Sequence, residues 1–458
     1  MTGNPGAPKN CPRFDLNAGI VVFIALALAA FGLVIQTSAG QYMRGSIGAA
    51  HDPLYTFRMQ LIYFVPALCA GIFFLKINLC WVRRHVWKML AAACVLLLCA
   101  RFAIPGVKIF GSTFPGVEVN GSWRWINLGV LRLQASDIAK VTLVFAMAHY
   151  LAGAQRFLQN EKIVWLSRKS RLFVTREAFD DFFCGFFKPC LIIALVCGLI
   201  AIEPDLGTTA LCGAIGFLML FLSGGRLLYI VPAISAGIAA FSTVVYFWPN
   251  RLARVLAFLD PEGTKLREGY QLWQALVGFG CGGFKGVGLG DGMQYRYFLP
   301  EAHTDFVFAV VGEEFGFVRA AAVVLLFLVL LFAVVRALRR VPDVYCFNLC
   351  FGSALFIVLQ ALVNMGVVTG LLPTKGMSLP FVSYGGSNLV VMFSFVGITV
   401  NAMHNWRESV FPQLAISGDF AGTADADFSE NPFEKNSENL PENSSENLTG
   451  TERSSKKS

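Results

Sequence analysis

Leu371-Leu-Pro-Thr-Lys375-Gly-Met-Ser-Leu-Pro380 separates two apolar runs, residues 345–370 and 381–403. A bilayer core about 30 Å thick needs about 20 mostly apolar residues in a helix. Both runs meet that length, so the stretch between them reads as a link at a membrane surface, with one Lys among apolar neighbours. A Gly/Pro-rich interruption at this depth is tolerated only where it lines a cavity or packs inside protein. Two crossings joined by such a link already point to a helical, multi-pass membrane protein.

The same pattern extends outward along the chain. Further spans are expected at 18–37, 58–76, 86–104, 135–153, 188–203, 207–224, 227–248 and 316–336. With the two above, the fold class is all-α and polytopic, with about ten transmembrane helices. Lys88 and Arg101 reach the interfaces by snorkelling, which accommodates the third span. Composition agrees: 55% of the 458 residues are hydrophobic and 14% are charged, against about 25% charged in ordinary soluble domains. The net charge of +8 sits between the apolar runs, with no basic stripe of interleaved aromatics, so it argues for topology and against a nucleic-acid partner. The cysteines lie mostly inside the runs without C-x-x-C spacing, which indicates neither a metal site nor a disulfide framework.

Arg83 and Arg84, the cluster Arg156 to Arg176, Arg226, and Arg336 to Arg340 all fall on one side of this arrangement. By the positive-inside rule that side is the cytoplasm, and it holds both termini: residues 1–17 and a polar tail, 411–458, with disordered composition. The opposite side receives a long loop, 249–304, between helices 7 and 8. A structureless loop of that length usually carries function. Its stretch from Tyr270 to Phe279 is partly amphipathic and suits the membrane surface.

That loop concentrates chemistry. It contains Arg251 and Arg254, then Asp260-Pro-Glu262, then Gly282-Gly-Phe-Lys-Gly-Val-Gly-Leu-Gly290, and it ends Leu299-Pro-Glu-Ala-His303-Thr-Asp305. Carboxylates, cations and glycines on one loop suit group transfer from a diphosphate. A carboxylate accepts the proton of an attacking hydroxyl. Cations stabilise the departing diphosphate, and backbone N–H groups of a glycine turn can cradle phosphate oxygens. The same side holds Lys375, the small residues Ser383, Gly385 and Gly386, and the tight turn Glu203-Pro-Asp205. Asp137 and Lys140 share a helix face at i,i+3 and are spaced to pair.

Several of these motifs resemble the SEDS family, which includes FtsW, RodA and SpoVE. The resemblance rests on Asn364 through Gly370, Pro373, Gly376 and Ser383-Tyr-Gly-Gly-Ser387, on Leu299-Pro-Glu-Ala-His-Thr-Asp-Phe306, on Gly312-Glu-Glu-Phe-Gly316, on Gly269-Tyr-Gln271, on Glu203-Pro-Asp-Leu-Gly207 and on Gln134-x-Ser136. It covers residues from about 15 to 410, and Pro373 to Pro380 with Glu301-Ala-His303 look most like the division-type FtsW branch. Asn388 and Asp137 depart from the residues usual there, which are Ser or Ala and Glu. The resemblance implies a peptidoglycan glycosyltransferase that polymerises lipid II, an undecaprenyl-diphosphate-linked disaccharide-pentapeptide, during cell division.

It further implies a bacterial inner-membrane location at the septum. The implied partners are a class B penicillin-binding protein transpeptidase and other division proteins. A divalent cation, Mg or Mn, is implied by the resemblance alone, and no metal ligands are identified. An essential acid is expected five residues before Gly269, where this chain has Thr264. The expected catalytic residues are therefore the neighbouring carboxylates, Glu262 first and then Asp260. Arg251, Arg254, His303, Asp305, Lys375, Ser383, Gly385 and Gly386 are the expected substrate contacts. A lipid II flippase and a non-catalytic division scaffold are the alternative readings.

Overall fold

The computed structural model describes residues 16–39, 54–101, 132–158 and 181–404, with short strand segments between 108 and 127. Most of the N-terminal segment, the basic link residues from Lys162 to Arg176 and the tail 411–458 lie outside the described residues.

Ten helices of 15 residues or more follow the apolar runs: α1 Leu16–Ala39, α2 Tyr55–Lys76, α3 Leu79–Arg101, α4 Ala135–Gly153, α6 Lys188–Ile202, α7 Leu206–Leu222, α8 Leu227–Phe247, α12 Val307–Leu338, α13 Val344–Val368 and α14 Gly386–His404. Shorter ones are α5 Gln155–Leu158, α9 Pro249–Leu259, α10 Tyr270–Gly282 and α11 Gln294–Tyr297. Among the described residues seven helical stretches are long and apolar enough to cross a membrane, with α6 counted together with the π-helical turn Phe183–Phe187 before it. The other long helices fall short by composition or length. Arg83, Arg84 and Lys88 load α3, Asp137 and Lys140 load α4, and α7 has 17 residues.

Two expectations need correction. The chain is not purely helical. Before α4 it forms an antiparallel pair, β1 Lys108–Ile109 with β2 Ser112–Thr113, and a three-stranded antiparallel sheet of β3 Val117–Val119, β4 Ser122–Asn127 and β5 Arg132–Gln134. The period-two pattern there is short and was masked by the apolar runs on both sides. The second correction concerns 249–304, which is built from α9, α10 and α11 rather than being a loop. Helix α10 does not simply lie on a membrane surface: Leu272, Ala275, Gly278 and Gly282 bury one face, and it packs along α12.

Packing follows the rule for helices in lipid, where close approach replaces the hydrophobic drive. Helices α2 and α14 form the most extensive pair. A Cβ on Gly397 would stand 2.2 Å from the Gly71 carbonyl oxygen, so only glycine permits that crossing. Helix α13 packs against α4, α12 and α14, and α1 packs against α12. Helix α12 bends at Gly316, whose φ of 74° lies in the region that favours glycine. The expected eighth span, 316–336, begins at that bend. The helix itself starts nine residues earlier, at Val307, and carries Glu313 and Glu314 in its first part.

Candidate functional site

The non-helical segment 369–385 is held from below by amides on the long helices. Asn364 Nδ2 donates to the carbonyls of Asp305 at 2.8 Å and Met377 at 2.6 Å. Gln360 Nε2 donates to the Ser378 carbonyl and to Asn388 Oδ1, both at 2.9 Å. From α1, Gln36 Nε2 donates to the carbonyls of His303 (3.1 Å) and Val382 (3.3 Å). From α2, Gln60 Nε2 donates to the Ser383 carbonyl at 3.2 Å while its Oε1 accepts from Gly385 N at 3.3 Å. Irregular backbone at this depth needs internal partners, and these four side chains supply them. The sequence reading missed Gln36, Gln60 and Gln360. Their signal was an amide inside an apolar run, alone in the runs of Gln36 and Gln60 and beside Asn348 and Asn364 in that of Gln360, which is costly in lipid unless it has a task.

These bonds bring the end of the outer segment against the link. Tyr384 N donates to the His303 carbonyl at 2.9 Å, and the two rings lie 5.8 Å apart. Asp305 sits against Gly376, where an added Cβ would stand 2.8 Å from its Oδ2. Burial pushes the Asp305 carboxyl up to about 7. Glu301 and Asp205 push the same way, and Arg254 opposes them. Burial holds the His303 imidazole below its usual value against the pull of Glu301, and burial lowers the Lys375 ammonium while Asp205 favours its charge. Lys375 Nζ lies 4.8 Å from the Phe241 ring centroid on α8. Asp205 caps α7 by accepting from Thr208 N at 3.2 Å, and it also accepts from Gln134 Nε2 at 3.1 Å. Asp305 thus feels Glu301, Asp205 and Arg254, and Asp205 also acts on Lys375.

Beneath this cluster lies a buried ion pair. Lys140 Nζ is 2.7 Å from Asp137 Oδ1 and 3.5 Å from Gln360 Oε1. Ser387 Oγ donates to Asp137 Oδ2 at 2.6 Å and accepts from Gln134 N at 3.1 Å. Gln134 therefore ties this pair to Asp205 and the outer cluster.

The expected site residues divide. Arg254, His303, Asp305 and Lys375 meet in the cluster or at its edge. Ser383, Gly385 and Gly386 shape the link. Ser383 Oγ accepts from Leu379 N at 2.7 Å, and a Cβ on Gly386 would meet the Tyr63 ring at 3.0 Å. Arg251 stacks over Trp248 at 4.7 Å. Asp260 and Glu262 are exposed. Asp260 closes its own turn, accepting from Gly263 N at 2.8 Å on its side chain and from Thr264 Oγ1 at 2.7 Å on its carbonyl. Thr264 packs against Gly269 in that turn and faces no carboxylate cluster.

The glycine run is held against α12. Val287 N and Gly288 N donate to the carbonyls of Glu313 (3.0 Å) and Glu314 (3.1 Å). Gly290 N donates to Glu314 Oε1 at 2.9 Å. Met293 N and Gln294 N donate to Glu313 Oε1 at 2.7 and 2.9 Å. Three N–H groups of the run, those of Val287, Gly288 and Gly290, are thus engaged by α12. Among the described residues no three His, Cys, Asp or Glu side chains gather to hold a metal ion, so no step is derived through one.

The family model for cell cycle proteins of the FtsW/RodA/SpoVE type matches residues 19–408. The chain belongs to this family. It is 37% identical over 404 residues to a probable peptidoglycan glycosyltransferase FtsW of Thioalkalivibrio sulfidiphilus, covering 87% of this chain and 91% of that one. It is 38% identical over 401 residues to a protein of the same description from Hahella chejuensis, covering 86% and 91%. Solved structures share the fold. One, from work on the structural coordination of polymerization and crosslinking by a peptidoglycan synthase complex, aligns with a TM-score of 0.64 at 24% identity, over 87% of this chain and 99% of that one. The rod shape determining protein RodA of Thermus thermophilus aligns with a TM-score of 0.58 at 22% identity, over 86% and 98%. Like other FtsW/RodA/SpoVE members, this is a membrane protein, and the cluster above sits in the part of the chain that the family match covers.

Proposed function

We propose that the protein is a peptidoglycan glycosyltransferase that polymerises lipid II, with Asp305 as proton acceptor. The observation that carries this reading is the half-buried Asp305 carboxyl against Gly376, raised to about 7 by loss of solvent with Glu301 and Asp205 pushing the same way and Arg254 opposing. A general base works best when its pKa lies near the working pH. The acceptor hydroxyl oxygen attacks the anomeric carbon, and the bond from that carbon to the diphosphate oxygen breaks. The hydroxyl proton passes to Asp305. The diphosphate leaves with the bonding electrons, its charge met by Arg254 and Lys375.

Reading the apolar runs as ten crossings, with the basic links inside, supports residues 249–304 and the cluster lying on the outer face and both termini lying in the cytoplasm. The inner membrane at the division septum, a class B penicillin-binding protein and further division proteins follow from the same family reading.

The test is glycan-strand synthesis from lipid II by the purified protein with its transpeptidase, run with Mg, with Mn and with a chelator to examine the implied cation. The Asp260→Ala/Glu262→Ala double variant is expected to keep its rate within about threefold, as surface changes do. Loss of polymer in that variant would move the base back to the turn. Gly376→Ala is expected to cut kcat by about 10²-fold with a small change in KM, because its methyl displaces Asp305 from a near-attack position. Single-turnover kinetics separate the two parameters.

A further inference from the structure

The start of α3 holds a concentration of positive charge. Residues 54–101 contain Arg58, Lys76, Arg83, Arg84, Lys88 and Arg101 and not one Asp or Glu. Lys76 ends α2, and Arg83, Arg84 and Lys88 follow within the first turns of α3, whose first turn has no acidic residue. Cations at a helix N-terminus oppose the helix dipole, and both together favour an anion there. Arg84 and Lys88 face outward, and Trp81 and Trp87 beside them are 52% and 42% exposed, as aromatic residues at a membrane interface are.

Arg83 differs from its neighbours. Its guanidinium turns inward over the Tyr345 ring, 5.2 Å from the centroid. Its Nε and Nη1 are enclosed by protein, and among the described residues neither has a hydrogen-bond partner. The Tyr345 side chain is fully buried, and among the described residues its hydroxyl also has no hydrogen-bond partner. Asp343, at the start of the same helix as Tyr345, is engaged in capping it, accepting from Cys346 N at 3.1 Å. Buried polar groups are nearly always hydrogen-bonded, and a guanidinium fork suits a phosphate.

We propose that Arg83 and Tyr345, with Arg84 and Lys88 exposed on the same helix as Arg83, form a binding site for the phosphate of an anionic phospholipid of the inner leaflet. The sidedness rests on the topology proposed above; the site itself does not depend on the catalytic reading. The anionic cytoplasmic leaflet supplies the partner, and the tryptophans set the depth.

The experiment is native mass spectrometry of the full-length protein from vesicles of phosphatidylglycerol mixed with phosphatidylcholine. Wild type is expected to retain one phosphatidylglycerol more than Arg83→Gln does. Tyr345→Phe, which keeps the cation and the packing, is expected to weaken retention by several-fold, and Arg83→Gln by about tenfold, the effect of one charge-assisted hydrogen bond. Equal retention by wild type and both variants, or equal retention of phosphatidylcholine, would overturn the site. Full displacement of the lipid by inorganic phosphate would keep the anion site but overturn the lipid assignment. Polymerisation activity is not the readout, so failure here leaves the catalytic proposal untouched.

Discussion

Asp305→Asn is expected to reduce glycan polymerisation by about 10²–10⁴-fold, the range a positioned general base contributes, while the protein remains folded. Asn preserves the shape against Gly376 and removes only the proton acceptor. The pH dependence follows from the direction of the shift. Only the deprotonated carboxylate accepts a proton, so wild-type kcat should rise with pH and level off above about 7, where burial, Glu301 and Asp205 have moved the group. The residual rate of Asp305→Asn should lack that rise. Stability behaves differently. The folded-state pKa lies above the ordinary carboxylate value, so the folded protein binds the proton more tightly than the unfolded chain. Wild-type stability therefore falls as pH rises between the two values, and the loss is complete above about 7. Asn removes that penalty, so above pH 7 the variant should melt no lower than wild type. A rate that keeps its pH profile in Asp305→Asn would take the proton acceptor away from this residue.

Asp137→Ala is expected to destabilise the protein by about 3–5 kcal/mol, because it leaves the Lys140 ammonium buried without its carboxylate. The loss should appear as a lower melting temperature in detergent and a smaller membrane fraction, together with loss of polymerisation. Lys140 would keep only the Gln360 oxygen, at 3.5 Å, and Ser387 would lose its acceptor on α4. Asp137→Ala/Lys140→Met removes both charges and should recover much of the stability, since an apolar replacement for a buried pair is often neutral. It should not recover activity. Gln134 carries the link from this pair to Asp205, and Asp205 acts on both Asp305 and Lys375. Recovery of stability without activity would separate the pair's contribution to folding from its role in holding the outer cluster.

The long helices were legible because each apolar run is a local property of the chain. The same holds for the pairing of Asp137 with Lys140, which three-residue spacing on a helix already brings together. The sheet before α4 was not legible, since its strands run two to six residues and carry little periodicity. Gln36, Gln60 and Gln360 were visible as amides inside apolar runs, but their partners lie up to 346 residues away along the chain.

The residues between Leu371 and Pro380 settle where sequence ends and tertiary structure begins. By itself the sequence determined a multi-pass membrane protein with a polar link between apolar helices and a lone Lys in it, because the length and hydropathy of a span are counted along the chain. Which carboxylate faces that link was decided only by the fold. Asp260 and Glu262 have the right chemistry but stand on an exposed turn. Asp305 is half-buried against Gly376 because Asn364, Gln36 and Tyr384 hold its segment there. Burial and the surrounding charges set proton affinity, and they depend on neighbours in space rather than in sequence.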